Sequence, residues 1–161
     1  MVLGWRQARR GRLGAGSSAQ GDTDVFEKVL LAVDGSEHAA KAVPVAVDIA
    51  KKSKGQVIVF HAREYLVARG GSYSLEGTSE ADRLVDQART EVAAAGVRVS
   101  GRTESAPEGR AAQAILEVAE AEGADAIVMG SRGRSDLAGL LLGSVTHKVI
   151  QLSHCTVVVA R

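Results

Sequence analysis

A chain of 161 residues, 45% hydrophobic and 24% charged with a formal net charge of +1, has the material for one globular domain around one core. Near-neutral charge excludes the electrostatic footprint of a dedicated nucleic-acid binder, so no nucleic-acid partner is expected. No apolar run approaches the length of a membrane span, and a single cysteine, Cys155, excludes an internal disulfide and a CxxC redox or zinc pair.

Residues 1–24 carry Arg6, Arg9, Arg10 and Arg12, with no acid before Asp22 and many Gly, Ser and Ala. They read as a disordered basic arm ahead of a domain at 25–161. The arm lacks the apolar face of a transit peptide and the apolar stretch of a secretory signal, so the expected location is cytoplasmic.

From Lys28 onward, short Val/Ile/Leu runs alternate with helix-period segments. "KVLLAV" is the first strand, and a helix follows over about 36–52, where Pro44 predicts a kink or early break. "QVIVFHA" (56–62) is the second strand. The segment 63–78, with paired glycines and two tyrosines, has no clear period and reads as a mobile loop, a candidate lid or partner surface. A helix over 79–95 rests on Ala81, Leu84, Val85, Ala88, Val92 and Ala95, with Ser79 and Asp82 as its cap and Gly96 as its end. "VRVSGR" (97–102), a helix over 109–122, "DAIVMG" (125–130), a helix over 144–153 and "TVVVA" (156–160) complete the chain. Cys155, beside His154, reads as a small buried hydrophobe opening the last strand.

Continuous apolar strands alternating with helices specify an α/β domain: a doubly wound five-stranded parallel sheet with helices on both faces. In the order 3-2-1-4-5 the strand order reverses between strands one and four, and ligands bind beyond the carboxyl ends there. Those ends carry "VDGS" (33–36) and "MGSRG" (129–133). The stretch "GSRGRSDLAGLLLGS" (130–144) is neither GxxxxGK[ST] nor GxGxxG. It reads GxxG, nine residues, then GS, a loop that leaves the sheet at Gly130 and returns at Gly143.

"VLLAVDGSEHA", "AILEVAEAEGADAIVMGSRG" and the glycine pattern followed by "VTHKVI" together resemble the universal stress protein family from about Lys28 to Arg161. The glycine pattern resembles that of its nucleotide-binding branch, which implies ATP as ligand, accompanied by magnesium, and a homodimer. Thr156 departs from the family's usual proline before the last strand. The resemblance places the backbone of Ala62 beside the adenine, with Met129 as an apolar edge, and carries Asp34 over through its place in "VDGS".

Loop physics agrees with that placement. Glycine permits positive φ and lets amides approach an oxyanion, so Gly130 and Gly133 are expected to wrap the phosphates. Gly143 and Ser144 open the last helix, whose free amides favour negative charge, and Val145 and Thr146 are further donors. Asp34 suits ribose hydroxyls or a phosphate-bound metal, with helix capping as the alternative role. Arg132 and Arg134 are placed as phosphate partners, and His61 reads as packing. No catalytic residue or dedicated metal ligand is assigned: no His or Glu adjoins the loop before His147, one turn into the helix. "KKSK" (51–54) and "GGS" (70–72) fall at the wrong places for a synthetase or pyrophosphatase loop.

The expected function is a nucleotide-dependent stress-response regulator or sensor with little or no turnover. A slow ATP hydrolase and an interaction module with a vestigial site are the alternatives. The apolar edge of the strand at 156–160 is expected to pair with its copy in a homodimer.

Overall fold

The computed structural model describes residues 25–134 and 142–161. The basic arm of residues 1–24 and the middle of the glycine loop, 135–141, lie outside the described residues. In chain order the elements are β1 (Lys28–Ala32), α1 (Glu37–Lys52), β2 (Gln56–Ala68), β3 (Gly71–Ser74), α2 (Thr78–Ala94), β4 (Arg98–Pro107), α3 (Ala111–Glu122), β5 (Ala126–Gly130), α4 (Ser144–Leu152) and β6 (Thr156–Ala160).

β1 is the centre of the sheet because it is apolar on both faces. Val29 and Leu31 point into one core with Val57 and Val59, under α1 and α2. Leu30 points into the other with Ile58, Phe60 and Ile127, under α3 and α4. Val29, Leu30 and Leu31 have no exposed surface, and burial of each such side chain is worth about 1.5–3 kcal/mol. Two faces, each needing helical cover, give the doubly wound arrangement.

Five parallel strands run β4-β2-β1-β5-β6, the expected order, with the reversal between β1 and β5. The sheet is mixed and six-stranded, however, because β2 continues to Ala68 and turns back through Arg69 and Gly70 into antiparallel β3. The segment 63–78 is therefore not a structureless loop. Gly70 and Gly71, at φ +114 and +147, make the turn that a side chain would resist. Tyr65 pairs with Pro107 of β4 and Ser74 of β3 at once, so β3 lies on the β1 side of β2. β1 has already ended at Ala32, and the hairpin stands over its carboxyl end.

Four local expectations are corrected. α1 runs unbroken across Pro44, which sits at an exposed position, where water can satisfy the carbonyl left without an amide. α2 begins earlier than Ser79, from an extended Gly77 with no side-chain cap, because the chain enters it directly from the hairpin. β4 reaches Pro107 rather than 102, following β2 along its extended length. Cys155 is half-buried, and the Ser153 hydroxyl donates to its carbonyl at 3.0 Å.

Candidate nucleotide site

A cavity of about 410 Å³ opens at the carboxyl ends of β1 and β5 and beside the middle of β2, within the range of small-ligand sites. Asp34, Ala62, Met129, Gly130, Gly133, Gly143, Ser144, Val145 and Thr146 all line it. Arg132, Arg134 and His61 line it too.

Asp34 follows β1 and is fixed by the start of α1. Its Oδ1 accepts from the Ser36 amide at 3.0 Å and the Ser36 hydroxyl at 2.6 Å. Ser36 is the N-cap, its Oγ accepting from the Ala39 amide at 3.2 Å. Asp34 thus orients the cap and is not the cap itself, and its second oxygen, Oδ2, lies toward Gly133.

Gly130, Gly133 and Gly143 answer to close approach and not to backbone angle. None of Gly130, Gly133 and Gly143 has positive φ, contrary to the expectation from loop physics. A Cβ on Gly130 would stand 2.5 Å from the backbone carbon of His38, so that glycine lets β5 pass under the start of α1. A Cβ on Gly133 would stand 2.6 Å from Asp34 Oδ2, and one on Gly143 3.3 Å from Arg132 Cα. The two arms of the loop are joined where the Gly143 amide donates to the Ser131 carbonyl at 2.8 Å.

Three helix N-termini face the cavity, and their amides are treated differently. α1 is capped by Ser36. α3 receives the Glu64 carboxylate, whose Oε1 accepts from the amides of Gly109 at 2.9 Å and Ala111 at 3.3 Å. α4 has Gly143 as its N-cap and no side-chain cap. The first helical hydrogen bond there runs from the His147 amide to the Gly143 carbonyl, which leaves the amides of Ser144, Val145 and Thr146 pointing past the helix end. The Thr146 hydroxyl is already committed, donating to the Gly130 carbonyl at 2.9 Å. Thr146 therefore offers its amide, and Ser144 offers amide and hydroxyl.

Opposite this end stands a buried charged cluster that sequence reasoning missed. His61, 2% exposed, donates from Nδ1 to the Val33 carbonyl at 2.8 Å, and its Nε2 lies 2.7 Å from Glu76 Oε2. Arg134 Nη2 donates to the same Oε2 at 3.0 Å. Burial pushes the Glu76 carboxyl up, but the hydrogen bond and charge of His61, and then those of Arg134, outweigh it and hold the group below its ordinary value. His61 is accordingly more than packing. The paired glycines flanked by Tyr65, Leu66 and Tyr73 carry a hairpin signal; the partnership of Glu76 with His61 has none.

The profile of the universal stress protein family matches residues 26–161. The chain belongs to the universal stress protein family. Universal stress protein YxiE of Bacillus subtilis is 36% identical over 150 residues, covering 85% of this chain and all of that protein. A universal stress protein of Thermus aquaticus is 36% identical over 141 residues, covering 85% of this chain and all of its own length. Among solved structures, MJ0577 of Methanocaldococcus jannaschii superposes with a TM-score of 0.70 at 26% identity, over 84% of this chain and 96% of that one. A universal stress protein in complex with cAMP superposes with a TM-score of 0.65 at 27% identity, over 84% and 97%. Among the described residues, no helix of this universal stress protein is long and apolar enough to cross a membrane.

Proposed function

We propose that this universal stress protein binds ATP with magnesium in the cavity between β1 and β5 and acts in the cytoplasm as a nucleotide-dependent regulator or sensor, as a homodimer, with little or no turnover. The observation that carries the reading is the start of α4, which has no side-chain cap among the described residues and whose first three residues, Ser144, Val145 and Thr146, line a cavity bordered by two close-packed glycine arms. Free helical amides and the helix dipole favour phosphate there. The Ala62 backbone and the apolar edge of Met129 suit adenine, and Asp34 suits ribose hydroxyls or the metal. The solved relative bound to cAMP supports a nucleotide as the ligand class.

Magnesium is compatible with the residues present in one way. Among the described residues no group of three or more His, Cys, Asp or Glu could hold a metal alone, but magnesium is commonly held by one or two carboxylates together with substrate phosphates. Asp34 Oδ2, facing Gly133, is such a carboxylate. The bound ion would neutralise phosphate charge.

Sensing without rapid turnover follows from what faces the phosphates: efficient transfer requires a positioned water and a group to orient it. His61 and Glu76 are engaged with each other, and Glu64 is engaged with α3. Two measurements test the proposal. ATP with magnesium at a hundredfold excess over Kd should stabilise the protein by about 2.7 kcal/mol in thermal unfolding; no upshift at millimolar ATP contradicts binding. Phosphate release should stay far below the enzyme median of about 10 per second, and sustained release near that rate, abolished in Gly133→Val, makes the protein an ATP hydrolase.

A further inference from the structure

One side chain spans the two lips of the cavity. Arg134 donates from Nε to the Asp34 carbonyl at 2.7 Å and from Nη2 to Glu76 Oε2 at 3.0 Å. Asp34 belongs to the β1–α1 turn, and Glu76 to the short link between β3 and α2. The two partners differ sharply in exposure: the Arg134 side chain is 50% exposed and that of Glu76 4%.

Glu76 is the only buried residue from Gly71 to Glu80. All four residues of β3 are exposed, and β3 is held to β2 over four register pairs. The link and hairpin thus have one buried anchor, and it is a charged one. Its Oε1 is buried and, among the described residues, has no hydrogen-bond partner, so the carboxylate depends on the two nitrogen partners at Oε2, His61 Nε2 and Arg134 Nη2. Taking one of them from a buried carboxylate leaves its desolvation uncompensated.

Arg134 follows Gly133 directly, and a Cβ on Gly143 would stand 3.6 Å from the Gly133 amide nitrogen. A polyphosphate seated on the α4 amides would therefore bring its charge close to the base of this arginine. Phosphate offers a guanidinium more charge and a bidentate geometry, whereas Glu76 offers it a single oxygen that His61 already shares.

We propose that Arg134 is a phosphate-responsive latch: the phosphates of a nucleotide bound at the glycine loop draw its guanidinium off Glu76, and the released carboxylate loosens the segment 71–77. This rests on the nucleotide reading above and adds the route by which occupancy of the site reaches the surface. The two states differ in the partner of one arginine, and the ligand selects between them through its differential affinity.

Hydrogen exchange of the amides in 71–77, followed alongside calorimetric titration, tests the latch. In the wild type, ATP should speed exchange severalfold while adenosine leaves it unchanged. Arg134→Gln, a change at a half-exposed position, should speed exchange without ligand and abolish the further effect of ATP. Glu76→Gln keeps the shape but removes the competing charge, so ATP should bind it severalfold more tightly than the wild type. Unchanged exchange in Arg134→Gln, or weaker ATP binding by folded Glu76→Gln, overturns the latch. ATP that binds by calorimetry without altering exchange overturns the coupling and leaves the nucleotide reading standing. A wild type that does not bind ATP removes that reading and the coupling together, while ligand-free Arg134→Gln still decides whether the arginine holds the link.

Discussion

A side chain on Gly133 would collide with Asp34, its Cβ standing 2.6 Å from Oδ2. The carboxylate cannot swing freely, because Oδ1 is held by the Ser36 amide and hydroxyl. The second turn of the loop and the acid at the end of β1 are thus one unit, and a methyl group at residue 133 disturbs both.

Gly133→Ala should weaken ATP binding tenfold or more, about 1.4 kcal/mol, with a smaller loss of melting temperature than Gly130→Ala, since the colliding atom belongs to a side chain and not to the backbone. Gly130→Ala should do the opposite first. Its Cβ would meet the backbone of His38 and Ala39 at 2.5–2.8 Å, and overpacking of that kind costs about 1–3 kcal/mol of stability. Thermal unfolding of both variants beside ATP titration separates the two roles. Equal loss of stability in both would show that the glycines serve packing alone.

Ser144→Glu gives effects of opposite sign on stability and binding. A carboxylate in the first turn of α4 should stabilise the helix by about 0.3–1 kcal/mol and repel phosphate from the same amides. ATP affinity should fall at least tenfold in a protein no less stable than the wild type. Wild-type affinity in this variant would place the phosphates elsewhere.

The strand order and the lining of the cavity were legible because each has a local cause. Runs such as Val29–Leu31, apolar on both faces, signal a buried parallel strand, and the switch point follows from their order. The glycines were legible as a spacing, but their reason was not: Gly130 meets a helix distant in sequence, and no backbone angle requires it. The hairpin at 65–74 shows its glycine pair in the sequence, but the apolar run of the second strand ends at Ala62, and the continuation to Ala68 rests on pairing with β4 and β3, which are distant or later in the chain. The sequence around His61 signals only packing, because its partner, Glu76, is set by the fold of that hairpin.

Acid should test the buried cluster. The Glu76 carboxyl lies below its ordinary value of 4.5 in the folded protein, so its ionised form contributes stability that is fully present above that value. The contribution is lost as pH falls through the lower folded value. Urea unfolding of wild type and Glu76→Gln should therefore show the wild type ahead at neutral pH and the gap closing well below pH 4.5. A gap that stays constant into acid would mean that Glu76 does not act through its charge.

β6 pairs with β5 and, among the described residues, with no other strand. Val157, Val158 and Val159 are half-buried along it, and Ile150 and Leu152 of α4 are exposed. An apolar edge is protected by pairing with a copy of itself. Light scattering should give a dimer for the wild type at micromolar concentration and a monomer for Val158→Lys, with circular dichroism confirming that the variant is folded. A monomeric wild type contradicts the assembly.

The most direct measurement is a calorimetric titration of ATP with magnesium into the wild type and into Gly133→Val, each first shown to be folded. Saturable binding at one site per chain in the wild type, weakened tenfold or more in the variant, is the predicted result. Equal affinity in the two proteins, or no binding by the wild type, would contradict the assignment of the glycine loop as a nucleotide site.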